Sequence, residues 1–202
     1  VVRLLSVLLA GLMVGGCTGI LPGQRARPPE TYVLAPALPA AKPPSRRGPT
    51  IVVSRPGAGA GYDTFQMAYF ERDYRLDYFA YNEWVDPPAV MLRHSLKDML
   101  RGTGRFSAVT GDARGVASDL RLDTTLVAMH QDFRTQPSVG RVIVEVQIVD
   151  LEGRRILGTR TFEAQAPAPS DDAYGGVVAI NEALTRLLAE IAGFAVSQAA
   201  DP

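Results

Sequence analysis

The chain has 202 residues, with 21 Lys plus Arg balanced by 21 Asp plus Glu. Lys42 and Lys97 are its only lysines and its arginines are scattered among acids, which excludes a nucleic-acid footprint or a polybasic membrane patch. A single cysteine excludes an intrachain disulfide framework, so stability has to come from a hydrophobic core.

At the N-terminus Arg3 precedes an apolar run from Leu4 to Val14, interrupted only by Ser6. The run is far shorter than the ~20 residues that cross a bilayer and has the form of a cleaved signal. It closes on Val14-Gly15-Gly16-Cys17, which resembles the lipobox of bacterial lipoproteins. There the cysteine thiol takes a diacylglyceryl group and the peptide bond before it is cut. Small residues at Gly15 and Gly16 suit that peptidase. The expectation is a signal peptide at 1–16, cleavage between Gly16 and Cys17, and lipidation of Cys17.

Residues 17–49 are rich in Pro, Ala, Gly and Arg and are expected as a lipidated tether of extended, polyproline-like geometry. Within it Thr31-Tyr32-Val33-Leu34-Ala35 fits a short edge strand. The folded domain is expected at 50–202.

Thr50 to Ser54 is a β-branched run and reads as a core strand. The glycines from Gly57 to Gly61 are followed by β-type composition instead of an amphipathic helix, so no dinucleotide fingerprint is present, and no Gly-Lys-Ser/Thr exists for a P-loop. Met67 to Arg72 and Arg75 to Tyr81 predict a hairpin turning at Asp73-Tyr74. Asp86 is expected as N-cap with Pro87 at the first helical position. Ala89, Leu92, Leu96, Met99 and Leu100 predict a helix ending at Gly102, and Phe106 to Thr110 a strand.

Leu120, Leu122, Thr124, Leu126 and Ala128 alternate onto one face, as do Val142, Val144, Val146 and Ile148, which predicts two half-buried strands. Glu152-Gly153 reverses the chain into a third strand from Arg154 to Ala164. Val177, Ile180, Leu184, Leu187, Leu188 and Ile191 then mark a long helix. The expected class is α+β: a largely antiparallel sheet with two main helices packed on one face.

Chemistry-bearing residues are few. His94 falls on the polar side of the first helix and His130 at the end of a strand, with no spacing that suggests a metal site. Ser95 and Ser107 lack a nucleophile-elbow context. Asp171-Asp172 fits a cap or solvated loop before the last helix. The pattern indicates no enzyme, no catalytic residues, no metal and no cofactor. The aromatic stretch from Tyr69 to Trp84 leaves two readings open, packing of the sheet and first helix or a partner surface. Tyr78, Tyr81 and Trp84 are the candidates for the latter.

The order of parts resembles the ABC-type transport auxiliary lipoprotein family, which includes the lipoprotein of a paraquat-inducible transport system. The resemblance is carried by Tyr32-Val33-Leu34, Tyr69-Phe70, Tyr81 to Pro88, Gly104 to Val109, Leu120-Arg121-Leu122, Arg155 to Phe162 and the final helix. One departure is Glu83, where the family commonly has arginine before the tryptophan. The resemblance implies a lipid-anchored periplasmic protein that works as a structural or coupling part beside an MCE-domain subunit and an ABC permease/ATPase complex. That machinery moves phospholipids or related amphiphiles between the inner and outer membranes. Thr18 after the cysteine suits outer-membrane sorting over inner. Homo-oligomerisation stays open, and an outer-membrane assembly lipoprotein handling lipopolysaccharide or protein insertion is the alternative.

Overall fold

The computed structural model describes residues 28–111 and 117–200; Gly16 and Cys17 lie outside them. Among the described residues nine strands form one mixed sheet, and two helices, α1 (Pro88–Thr103) and α2 (Ala173–Ala200), pack on one of its faces. This is the expected α+β class. The three long ladders are antiparallel, whereas every short pairing along the other side of the sheet is parallel.

Strand β7 (Leu120–Asp132) is the spine. Along one edge it pairs with β8 (Val139–Asp150), which in turn pairs with β9 (Arg155–Pro167). Its other edge is taken in succession by β2 (Thr50–Val53), β3 (Gly57–Ala58) and β4 (Gln66–Arg72). Outside these lie β6 (Ala108–Thr110) beside β2, β5 (Arg75–Trp84) beside β4, and β1 (Glu30–Tyr32) beside β5. The core lies between sheet and helices: Leu122, Leu126, Val144, Val146 and Ile148 meet Leu92, Leu96, Leu184, Leu187 and Ile191, all essentially inaccessible. Alternation in the strands and the i, i+3, i+4 stripe in the helices produce those facing surfaces.

Helix α2 approaches β8 closely because Gly140 has no side chain. A Cβ there would lie 2.5 Å from the Ile180 backbone nitrogen and 2.7 Å from the Ala179 carbonyl carbon. Asp172 caps the helix, its Oδ1 accepting from the Gly175 N–H at 2.7 Å and from Ser170 Oγ at 2.8 Å. Those donors hold its carboxyl below the usual carboxylate range, the Gly175 N–H most strongly.

Several expectations are corrected. The N-cap of α1 is Pro87, with Pro88 at the first turn and no side-chain cap, so Asp86 does not cap. A residue before proline is pushed out of the helical region, and Pro87, with ψ of 132°, precedes Pro88. The helix ends at Gly104 in the left-handed conformation (φ 67°). Gly102 is inside the helix, buried, and leaves room for Pro39.

In β7 the alternation breaks at Val127. Leu126 opposes Val144 but Ala128 opposes Ile143, so Val127 is an extra, bulged residue. Met129, opposite Val142, takes the core-facing position expected for Ala128, and His130 turns to the other face.

The start of the folded unit also moves. Residues expected as tether lie against the helices: Ala35 N–H donates to Asn181 Oδ1 at 2.6 Å, Ala37 N–H to Thr185 Oγ1 at 2.9 Å and Ser45 N–H to the Phe106 carbonyl at 3.1 Å. Leu34 and Leu38 pack on the core. A proline-rich chain cannot complete a ladder, so its N–H groups are met singly, those of Ala35 and Ala37 by side chains of α2 and those of Lys42 and Ser45 by the carbonyls of Arg101 and Phe106. Among the described residues, regular structure is therefore present from Glu30, ahead of Thr50.

Gly140→Ala should lower stability by about 1–3 kcal/mol, since helix backbone fills the added methyl's place. Gly57→Ala, whose Cβ would meet only Thr125 side-chain atoms at 3.6 Å or more, should stay within about 0.5 kcal/mol. Urea unfolding distinguishes them, and equal effects would show that the close approach is not limiting. Asn181→Ala should cost about 1 kcal/mol and speed hydrogen exchange at Ala35.

Candidate partner-docking site

Strand β5 carries all three aromatic residues predicted for a partner surface, and the fold separates them. Trp84 is in the core, 2% exposed, with its backbone N–H donating to the Phe65 carbonyl at 2.7 Å. Tyr78 is half-buried, and its hydroxyl donates to the Gly61 carbonyl at 3.0 Å. Gly61 is glycine for two reasons: its φ is +87°, and a Cβ would lie 2.7 Å from Leu76 Cδ2. Only Tyr81, 60% exposed, stands at the surface. The three do not form one face.

Most of the aromatic density packs the hairpin. Tyr69, Phe79 and Phe133 form one cluster, with Tyr69 at 4.7 Å from Phe79 and 5.8 Å from Phe133 between ring centroids. Phe70 meets His130 edge-on at 4.7 Å, and Tyr62 stacks on that imidazole with ring centroids 6.2 Å apart. The Tyr62 hydroxyl is 3.1 Å from His130 Nδ1. Arg134 pins the hairpin turn to the end of β7, bonding Asp132 at 2.7 Å and Asp73 at 2.6 Å.

His130 is a packing residue with a chemical signature. Burial pushes its pKa down from 6.5 to about 4, and Nε2 has no partner among the described residues. His94, by contrast, is exposed on α1. Among the described residues no group of three or more His, Cys, Asp or Glu is placed to hold a metal ion, and no helix is long and apolar enough to cross a membrane.

Sequence reasoning missed the residues that share Tyr81's surface. Tyr81 and Asn82 from β5, Glu30 and Tyr32 from β1, and Asp172 and Tyr174 from the start of α2 line a cleft of about 280 Å³. Tyr174 is 61% exposed. The Tyr32 hydroxyl donates to Glu30 Oε2 at 3.0 Å and accepts from Asn82 Nδ2 at 3.4 Å. Burial first, then the Glu30 carboxylate, raises the Tyr32 pKa. The Val85 N–H donates to the Tyr32 carbonyl at 2.8 Å and carries the surface on to exposed Val33 and Val85. One signal was available: Tyr174 lies outside the apolar stripe that begins at Val177, and a large aromatic off the buried face has to be exposed.

The described residues thus form a largely antiparallel sheet with two helices on one face and a cleft lined by Tyr32, Tyr81 and Tyr174 at one end. The sequence model of the ABC-type transport auxiliary lipoprotein component family matches residues 32–192, and the chain belongs to that family. Protein XCC0632 from Xanthomonas campestris, of family DUF330, is 20% identical, with 83% of this chain and 95% of that one covered and a TM-score of 0.70. A second solved protein, itself uncharacterised, is 15% identical over 83% of this chain and 98% of its own, with a TM-score of 0.65. PelC from Paraburkholderia phytofirmans, a dodecamer, is 13% identical over 74% of this chain and 93% of its own, at a TM-score of 0.45. At these identities the likeness to XCC0632 and the second protein is one of fold. No curated protein matches the chain.

Trp84→Ala should destabilise the domain by about 3–5 kcal/mol, while Tyr81→Ala should stay within about 0.5 kcal/mol. Comparable losses in chemical denaturation would put Tyr81 in the core as well. His130 is neutral in the fold while the unfolded chain titrates near 6.5, so its contribution is whole above that pH. It is lost as pH falls from 6.5 to about 4, on the order of 3 kcal/mol. His130→Gln should flatten that limb of the stability profile; an unchanged limb would assign it to other groups.

Proposed function

We propose that this protein is a lipid-anchored, periplasmic coupling component of an MCE-type ABC transport system that moves phospholipids or related amphiphiles between the membranes, anchored through Cys17 to the outer membrane. The family match over residues 32–192 carries the reading. Val14-Gly15-Gly16-Cys17 supports the anchor and Thr18 the outer membrane. The ordered domain supplies the protein contact, and the work of ATP hydrolysis belongs to the transporter.

The tyrosine surface replaces the trio expected from sequence as the contact, because a buried Trp84 cannot reach a partner. Co-purification of the mature protein with an MCE-domain subunit tests the coupling. A stable complex is expected, and absence of binding under every condition would transfer the protein to outer-membrane assembly. Mass spectrometry should find Cys17 as the acylated N-terminus, and a mature start elsewhere would remove the anchor.

A further inference from the structure

We propose that the outer edge of β9 pairs with the same edge of a second copy of this chain, antiparallel about Thr161, so that two domains share one continuous sheet. The inference goes beyond the transport reading and stands whichever machinery the protein serves. It starts from the phase of the β9 ladder. The Ala168 N–H donates to the Ser138 carbonyl at 2.7 Å, one step beyond the register in which Ala166 faces Gly140 and Phe162 faces Val144. In an antiparallel ladder hydrogen-bonded pairs alternate with non-bonded ones. Even-numbered residues from Gly158 to Ala168 therefore bond β8, and the N–H and C=O groups of Thr159, Thr161, Glu163 and Gln165 point away from it. The Arg186 guanidinium agrees with this phase, since it donates to the Gln165 carbonyl at 2.8 Å.

The backbone groups of Thr159, Thr161 and Glu163 on that edge have no partner among the described residues, where β9 pairs with β8 alone. The chain on either side of β9, from Leu151 to Asp172, is itself described. An open row of this kind is a template for another strand, and proteins usually blunt it with proline, lysine, charge or a bulge. Here the bulge residue Leu157 and Pro167 lie at the ends of β9 only. The two charges between them are turned back onto the chain's own sheet: the Arg160 guanidinium lies 4.8 Å over the Phe162 ring, and Glu163 pairs with Arg141 at 2.7 Å.

The occupant is a second copy because the free groups are self-complementary. Thr159, Thr161 and Glu163 are symmetric about Thr161, so a two-fold axis there sets Thr161 opposite Thr161 and each Thr159 opposite a Glu163. Every free N–H then meets a free C=O. Threonine pairs are favourable across strands, and no like charges stand opposite one another. An axis at Arg160 would set two arginines face to face, and one at Phe162 would need the Gln165 carbonyl that Arg186 already holds.

The experiment is disulfide trapping in the full lipoprotein, purified in detergent and oxidised, with the wild type as control for its own Cys17. Hydrogen-bonded antiparallel partners hold their Cα atoms about 5.5 Å apart, within reach of a disulfide, so Thr161→Cys is expected to give a dimer linked through position 161 of both copies. Thr159→Cys alone should give none, because its twin lies roughly 13 Å away along the strand, but mixed with Glu163→Cys it should cross-link. Thr161→Lys sets two ammonium groups opposite one another and should weaken dimerisation about tenfold or more in sedimentation, with circular dichroism unchanged.

Wild type that sediments as one copy up to its highest soluble concentration would overturn the proposal. So would an assembly that Thr161→Lys leaves intact, the absence of a link at position 161, a self-link of Thr159→Cys as efficient as that at 161, or a link from 161 to a different protein.

Discussion

The seating of α2 on β8 at Gly140 is the constraint from which the rest of the arrangement follows. Because helix backbone occupies the space a side chain would need, the Ile180, Leu184, Leu187 and Ile191 face reaches the centre of the sheet and excludes water there. Burial of that kind contributes roughly 25 cal/mol per Å² of apolar surface, and few other contacts in a neutral, disulfide-free domain offer as much. The helix in turn sets the position of Asn181 and Thr185, which hold the N-terminal strap, and of Tyr174, which lines the cleft beside Tyr81. One close approach thus couples the core, the route of the chain toward its N-terminus and the cleft lined by Tyr81 and Tyr174.

The strap changes what the N-terminal region is. A free tether would transmit nothing from the membrane beyond a length. Residues 30–48, laid across α1 and α2, instead bring the chain to the fold at β1, and β1 is the strand that borders the cleft. The chain between Glu30 and Gly48 is thus part of the folded unit and not a free spacer.

The hairpin β4–β5 shows how aromatic residues divide between structure and recognition. Tyr69 and Phe79 pack with Phe133, and Phe70 packs with His130, on opposite faces of a two-stranded unit that would be marginal alone. The bulge at Val127 makes the second cluster possible, because without the extra residue His130 would point into the main core and bring its ring nitrogens with it. The cost of keeping that imidazole neutral is small above its unfolded pKa, so the site is stable under ordinary conditions.

The amino-acid sequence alone determined the element order, the α+β class, the hairpin turn at Asp73-Tyr74 and the core faces of both helices and of most of β7 and β8. Those features rest on periodicity and turn chemistry, which act within a few residues and so are legible locally. Only the tertiary structure decided that Trp84 is core while Tyr81 is surface, although both sit in one strand. Their difference lies in whether each side chain is covered once the strand joins the sheet and the helices pack on it, Trp84 being 2% and Tyr81 60% exposed. The same holds for the bulge, whose effect depends on how β8 pairs with it, and for the strap, whose N–H groups find acceptors on a helix at the far end of the sequence. Periodicity specifies which residues share a face, but the identity of what lies opposite that face is a long-range fact, fixed when the chain closes on itself.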